Sequence, residues 1–230
     1  MEHIITTEGV SKIFNQGMPD EFRAINNISL NIGKGEIVVL KGPSGSGKTT
    51  LLSLLGCMSR PTEGRILING KDVAKLPERF LSSIRQRSFG FVFQQFNLIR
   101  GISVLENVIL PLYPSEWGLS VLRRNALEIL DRLGIADKRK MPVQRLSGGE
   151  QQRTAIARSL INDPRIIFAD EPTAHLDTKT SEDFIQIVSD LNKDGRTVVL
   201  ATHDPLIYDL PLVHKTVEMR DGMVRRVIER

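Results

Sequence analysis

The chain has 230 residues, 40% of them hydrophobic and 25% charged, enough apolar mass for one sizeable core and unlike a disordered polymer. A net charge of +4 spread along the chain does not mark a nucleic-acid surface, so no nucleic-acid partner is expected. A single cysteine, Cys57, excludes an intramolecular disulfide and a zinc cluster and reads as a small packing residue in a reducing compartment.

The first residues, MEHIITTEGVSK, lack the apolar core of a signal peptide, and no run of 18 apolar residues follows. The expectation is a protein that stays in the cytoplasm unless a membrane partner holds it. Residues 36–41 (EIVVLK) form a β-branched apolar run that reads as a buried strand. It runs straight into Gly42, Pro43, Ser44, Gly45, Ser46, Gly47, Lys48 and Thr49, the pattern G-x-x-x-x-G-K-[ST], and then into an apolar helix over 50–55 that opens at Thr50. A glycine-rich loop between strand and helix wraps phosphate in backbone N–H groups, and the positive N-terminal end of the helix adds to the attraction. Lys48 would bridge β- and γ-phosphate oxygens, and Thr49 would give its hydroxyl to Mg²⁺.

Residues 65–69 and 89–93 read as further strands, the second followed by Gln94. From about 98 to 160 the apolar period becomes helical. Val121, Leu122, Leu127, Ile129, Leu130 and Leu133 carry the pattern, with breaks at Pro111, Pro114 and Gly134. A helical region inserted into an α/β core is the expectation. Residues 165–169 (RIIFA) form a strand ending at Asp170 and Glu171. Alone, such an acidic pair is equally a helix cap or a solvated loop. Beside a phosphate loop, Asp170 would face Mg²⁺ and Glu171 would orient the attacking water. A helical stripe of Phe184, Ile185, Ile187, Val188 and Leu191 over 181–191, then a strand over 197–201, complete a strand–helix–strand unit of a parallel sheet.

A phosphate loop and an acidic strand end imply ATP or GTP but leave the machine open. The octet 146–153, LSGGEQQR, narrows it, because it resembles the signature of the ABC ATPase superfamily. Gln94 then matches the Q-loop glutamine, residues 174–177 (AHLD) the D-loop, and His203 the switch histidine. Phe14 stands where the family places an aromatic on adenine, with ordinary packing as the alternative. Residues 91–94 (FVFQ), 106–108 (ENV) and 219–222 (MRDG) resemble the macrolide-exporter and lipoprotein-release branch. The chain departs from that pattern at His175, where the branch commonly has asparagine, and at Glu150, which replaces a glutamine. His3, His175 and His214 are read as structural.

The resemblance implies one ABC ATPase domain over 1–230. Its α/β fold is a P-loop NTPase (RecA-like) core, 1–95 and 164–230, with an inserted α-helical subdomain, 96–163, and an N-terminal antiparallel β region. ATP and Mg²⁺ are the implied cofactors, with Thr49, Gln94 and Asp170 toward the metal. Glu171, His203, Lys48 and Gln94 are the implied catalytic set. The signature does not reach the nucleotide of its own phosphate loop, so a homodimer, or pairing with a related ATPase subunit, follows. Ser147, Gly148, Gly149, Glu150 and Asp177 then act on the partner's ATP. Integral membrane permease subunits are the further partners and would place the chain on the inner face of the cell membrane. Phe96, Leu98, Ile99, Leu105 and Val108 either pack the core of the helical subdomain or, as the resemblance implies, several of them line a groove for a short permease helix. A chromosome or DNA-repair ATPase would bring a long coiled coil or zinc-binding cysteines, a ribosome-acting factor two cassettes, and a non-hydrolysing scaffold would lack Glu171 or Lys48. Cargo selection belongs to the membrane subunits.

Overall fold

The strands fall into two sheets. The first is antiparallel, with β1 (His3–Phe14), β2 (Phe22–Gly33), β4 (Glu63–Ile68) and β5 (Lys71–Asp72) in the order β2-β1-β4-β5. The second contains β3 (Ile37–Lys41), β6 (Phe89–Val92), β7 (Ile166–Asp170), β8 (Thr197–Thr202), β9 (Lys215–Arg220) and β10 (Met223–Glu229) in the order β10-β9-β3-β8-β7-β6. Every pairing in it is parallel except the β9–β10 hairpin at its edge. The computed structural model describes residues 2–113, 118–174 and 176–230, so the expectations at Pro114 and His175 lie outside the described residues.

Helices α1 (Lys48–Leu55), α2 (Glu78–Ser88), α3 (Val104–Ile109), α4 (Leu119–Arg132), α5 (Gly148–Leu160), α6 (Thr178–Lys193) and α7 (Pro205–Tyr208) complete the elements. The fold is thus α/β, with the antiparallel region and the helical insertion that the family resemblance implies. Two details differ from the sequence pattern. Residues 98–103 are loop up to the cap of α3, where Ser103 Oγ accepts from the Glu106 N–H, and α2 precedes β6 although its mostly polar sequence gave no apolar stripe.

The parallel sheet separates two cores, and the two-residue period of β3 shows why. Ile37 and Val39 face one side and Val38 and Leu40 the other, all four wholly buried. Against the first side pack α3 through Val108, α4 through Leu122 and Leu130, α5 through Ile156, and α6 through Phe184 and Val188. Against the second pack α1, with Leu51, Leu52, Leu54 and Leu55, and the inner face of the antiparallel sheet, with Ile5, Val10, Ile28 and Ile66. Each such side chain contributes about 1.5–3 kcal/mol by leaving water. Phe168 of β7 is fully buried between Phe89 and Phe91, at ring separations of 5.2 and 5.4 Å. The helical insertion and the sheet therefore share one continuous core.

Candidate functional site

A parallel sheet brings the carboxyl ends of its strands to one edge, where ligands of open α/β folds bind. Lys41 pairs with Thr202, Asp170 with Ala201, and Val92 with Ala169. The residues that follow these strands, Gly42 onward, Gln94, Asp170 with Glu171, and His203, consequently meet at that edge. Residues 44–50 of the glycine-rich loop line a cleft of about 330 Å³ with Gln94, Glu171 and His203, and Phe22 and Ala24 of β2 close its other wall.

Two glycines show how the loop is shaped. A Cβ on Gly42 would lie 2.3 Å from the Met219 carbonyl oxygen, so no side chain fits there. Gly47 caps α1 with φ 98, in the left-handed region that favours glycine. No acidic residue of its own occupies the first turn of α1, so its positive end is available to the cleft. The Lys48 Nζ donates to the carbonyls of Gly42 at 2.8 Å and Pro43 at 3.1 Å and lies 3.6 Å from Glu171.

Across the cleft the Thr49 hydroxyl donates to Asp170 Oδ1 at 3.0 Å. Burial raises the Asp170 carboxyl above its ordinary pKa, with the Thr49 hydrogen bond working against that shift. Glu171 adopts φ 43, uncommon for a side chain of its size, and its N–H is held by the Ala201 carbonyl at 2.8 Å. His203 Nδ1 lies 3.0 Å from the Glu171 carboxylate while its ring remains mostly exposed. A hydroxyl, a carboxylate and an amide oxygen are hard donors of the kind Mg²⁺ prefers, so Thr49, Asp170 and Gln94 fit that ion.

The signature residues lie elsewhere. Ser147, Gly148, Gly149 and Glu150 line a second cleft with Asp177 and Lys138, sharing no lining residue with the first. A capping box builds it: Ser147 Oγ accepts from the Glu150 N–H, and Glu150 accepts from the Ser147 N–H at 2.9 Å. That backbone hydrogen bond holds the Glu150 carboxyl below its ordinary pKa. Asp177 caps α6 by accepting from the Thr180 N–H at 2.9 Å.

Phe14 is half-exposed with the Lys12 ammonium 5.1 Å from its ring centre. It pairs with Phe22 across the β1–β2 ladder, and Phe22 is the aromatic that lines the phosphate-loop cleft. Sequence reasoning missed Phe22 because only the ladder places it there. The groove expectation is corrected in part. Val108 is wholly buried and cannot floor an open groove, and the partly buried Leu98 and Leu105 pack against the core. The open cleft beside Gln94 is lined by Met58, Phe91, Phe93, Pro111 and Arg158.

A phosphate loop on a parallel sheet, with an acidic pair closing the neighbouring strand, defines a P-loop nucleotide-hydrolysing protein. The sequence pattern of the family described as "ABC transporter" matches residues 25–174. An ABC transporter ATP-binding protein of Thermotoga maritima is 40% identical over 230 residues, covering 100% of this chain and 97% of that protein. The macrolide export ATP-binding/permease protein MacB of Bdellovibrio bacteriovorus is 44% identical over 222 residues, and this chain spans only 33% of its length. The dimeric post-hydrolysis structure of the ATP-binding cassette MJ0796, bound to ADP and Pi, is 41% identical with a TM-score of 0.90, covering 98% of each chain. This chain belongs to the ABC transporter family and is an ATP-binding, ATP-hydrolysing cassette of it. No helix among the described residues is long and apolar enough to cross a membrane.

Proposed function

We propose that two copies of the chain, or this chain and a related ATPase subunit, close head to tail on two ATP molecules and drive integral membrane permease subunits of the macrolide-export type. The observation that carries the reading is the separation of the two clefts: one chain holds a phosphate-loop cleft without a signature and a signature cleft without a phosphate loop. Each becomes a whole site only against a second chain. Under this reading 1–95 with 164–230 form the nucleotide-binding core and 96–163 the helical subdomain, and the chain sits at the inner face of the cell membrane.

Thr49, Gln94 and Asp170 would hold Mg²⁺, which when bound neutralises charge on the β- and γ-phosphates. Lys48 exchanges its loop carbonyls for phosphate oxygens. Glu171, flanked by Lys48 and His203, orients a water for in-line attack. His203, on an exposed ring that can turn from Glu171 to the γ-phosphate, stabilises the transferring group. Ser147 and the Gly148 and Gly149 N–H groups meet the same phosphate from the partner's helix end. Phe14 and Phe22 offer adenine an aromatic face. The cleft of Met58, Phe91 and Phe93 receives a short permease helix, an apolar floor under a polar rim.

Mixing chains carrying Lys48→Ala with chains carrying Ser147→Arg tests the reading. Each variant alone lacks both composite sites, whereas the mixed dimer has one intact site. Recovery of ATP-dependent dimerisation on mixing is the expected result; absence of recovery removes the head-to-tail arrangement.

A further inference from the structure

Helix α5 meets the site's parts at three points. Its N-terminus carries the signature. In its middle, the buried Gln152 side chain donates to the Pro172 carbonyl at 2.7 Å, one residue beyond Glu171. In its last turn, Arg158 donates to the carbonyls of Phe96 at 2.6 Å and Asn97 at 2.5 Å. Phe96 and Asn97 are consecutive left-handed residues, φ 57 and 49, a conformation non-glycine residues keep only where their surroundings enforce it. Their turn is closed by the Phe96 N–H on Phe93 and the Asn97 N–H on Gln95, and Gln94 lies inside it. Further along the segment, the wholly buried Asn107 accepts from the Ile99 N–H and donates to the Ile99 and Ser103 carbonyls. The loop bearing Gln94 is therefore anchored to α5 and α3.

A planar guanidinium reaches two adjacent carbonyls at once, which a lysine ammonium on its flexible stem does not reproduce. We propose that Arg158 is a positioning residue that fastens Gln94 to the signature helix. The glutamine that meets a chain's own ATP and the serine and glycines it lends to its partner's ATP then move as one unit, along a rod of about 16 Å at 1.5 Å per residue. This rests on the head-to-tail reading above and adds to it a route by which occupancy of one site biases the other.

The test compares Arg158→Met and Arg158→Lys in the full chain, alone and combined with Gln94→Ala, by ATP turnover, MANT-ATP affinity, thermal midpoint and the Hill coefficient for ATP. Misplacing a positioned group by about 1 Å costs up to 10²-fold in rate, so kcat should fall about 10- to 100-fold in Arg158→Met, and less in Arg158→Lys, which keeps the cation and the fold. MANT-ATP affinity of the isolated chain should hold while the Hill coefficient falls toward 1. In the Gln94→Ala background Arg158→Met should add less than about 2-fold, the non-additivity of residues acting through one another. Where turnover is too low to fit, ATP-dependent dimerisation in the Glu171→Gln background gives the same Hill coefficient. A full additional loss on top of Gln94→Ala, or a kcat loss that follows the thermal midpoint with an unchanged Hill coefficient, overturns the proposal. If Gln94→Ala and Ser147→Arg leave turnover intact, the head-to-tail reading falls with it; if those two impair turnover and Arg158 is additive, only the Arg158 link falls.

Discussion

The carboxylate of Glu171 lies between the His203 imidazole at 3.0 Å and the Lys48 ammonium at 3.6 Å, and its own side chain is mostly buried. Two cationic or hydrogen-bonding neighbours hold it as an acceptor beside the phosphate loop. Glu171→Gln keeps the shape and removes the basic oxygen. Turnover should fall about 100-fold or more, since a positioned base contributes about 10²–10⁴. ATP binding should persist and a dimer should accumulate with ATP, readable by size-exclusion chromatography. Near-normal turnover would remove Glu171 from this role.

The cleft beside Gln94 exposes Met58 at 52%, on the same lining as Phe91 and Phe93. Met58→Asp should leave nucleotide affinity of the isolated chain unchanged, weaken copurification with the membrane subunits and abolish their effect on ATP turnover. Normal coupling in that variant would move the docking surface elsewhere.

Glu150 links stability to pH. The Ser147 N–H holds its carboxyl below the ordinary value of 4.5, so the ionised box stabilises α5 fully above that pH, and the contribution disappears as pH falls through the lowered folded-state value. Thermal midpoints measured downward from pH 5 should show the wild type losing stability that Glu150→Gln, a neutral residue able to close the same box, does not lose. Ser147→Ala should cost about 1 kcal/mol at neutral pH by removing the cap. Parallel pH profiles for wild type and Glu150→Gln would contradict this.

Cys57 is 4% exposed, and burial pushes its thiol up to about 11. At pH 8 only about a thousandth is thiolate. A disulfide reagent should therefore label the native chain slowly and release one equivalent promptly on adding denaturant. Prompt native labelling would mean that the turn after α1 opens freely.

The phosphate loop and the Asp170–Glu171 pair were legible in the sequence because each lies at the end of an apolar strand run, whereas Gln94 and His203 were read from the family resemblance. Parallel register then assembles them without further information. The signature octet was legible through its resemblance to the family pattern, and the capping box between Ser147 and Glu150 is what the structure adds. Arg158 was not, since its partners, the carbonyls of Phe96 and Asn97, lie 62 and 61 residues away and backbone acceptors carry no sequence mark. Phe22 was hidden for a similar reason: only the β1–β2 register brings it beside the loop. Val108 could be core or groove in the sequence, because an apolar residue near a loop looks the same there whether it faces the core or an open cleft, and the structure places it in the core.

Gly35 donates its N–H to Thr197 Oγ1, 162 residues away, and among the described residues β3 pairs only with β8 and β9. The strand that launches the phosphate loop thus stays without a sheet neighbour until the ribosome has passed Thr197. Until then IVVL, a β-branched stretch with no charge, is exposed as a template for pairing with other nascent chains, and closing so distant a parallel ladder is slow. The nucleotide cleft is therefore complete only once β8 and His203 have been synthesised.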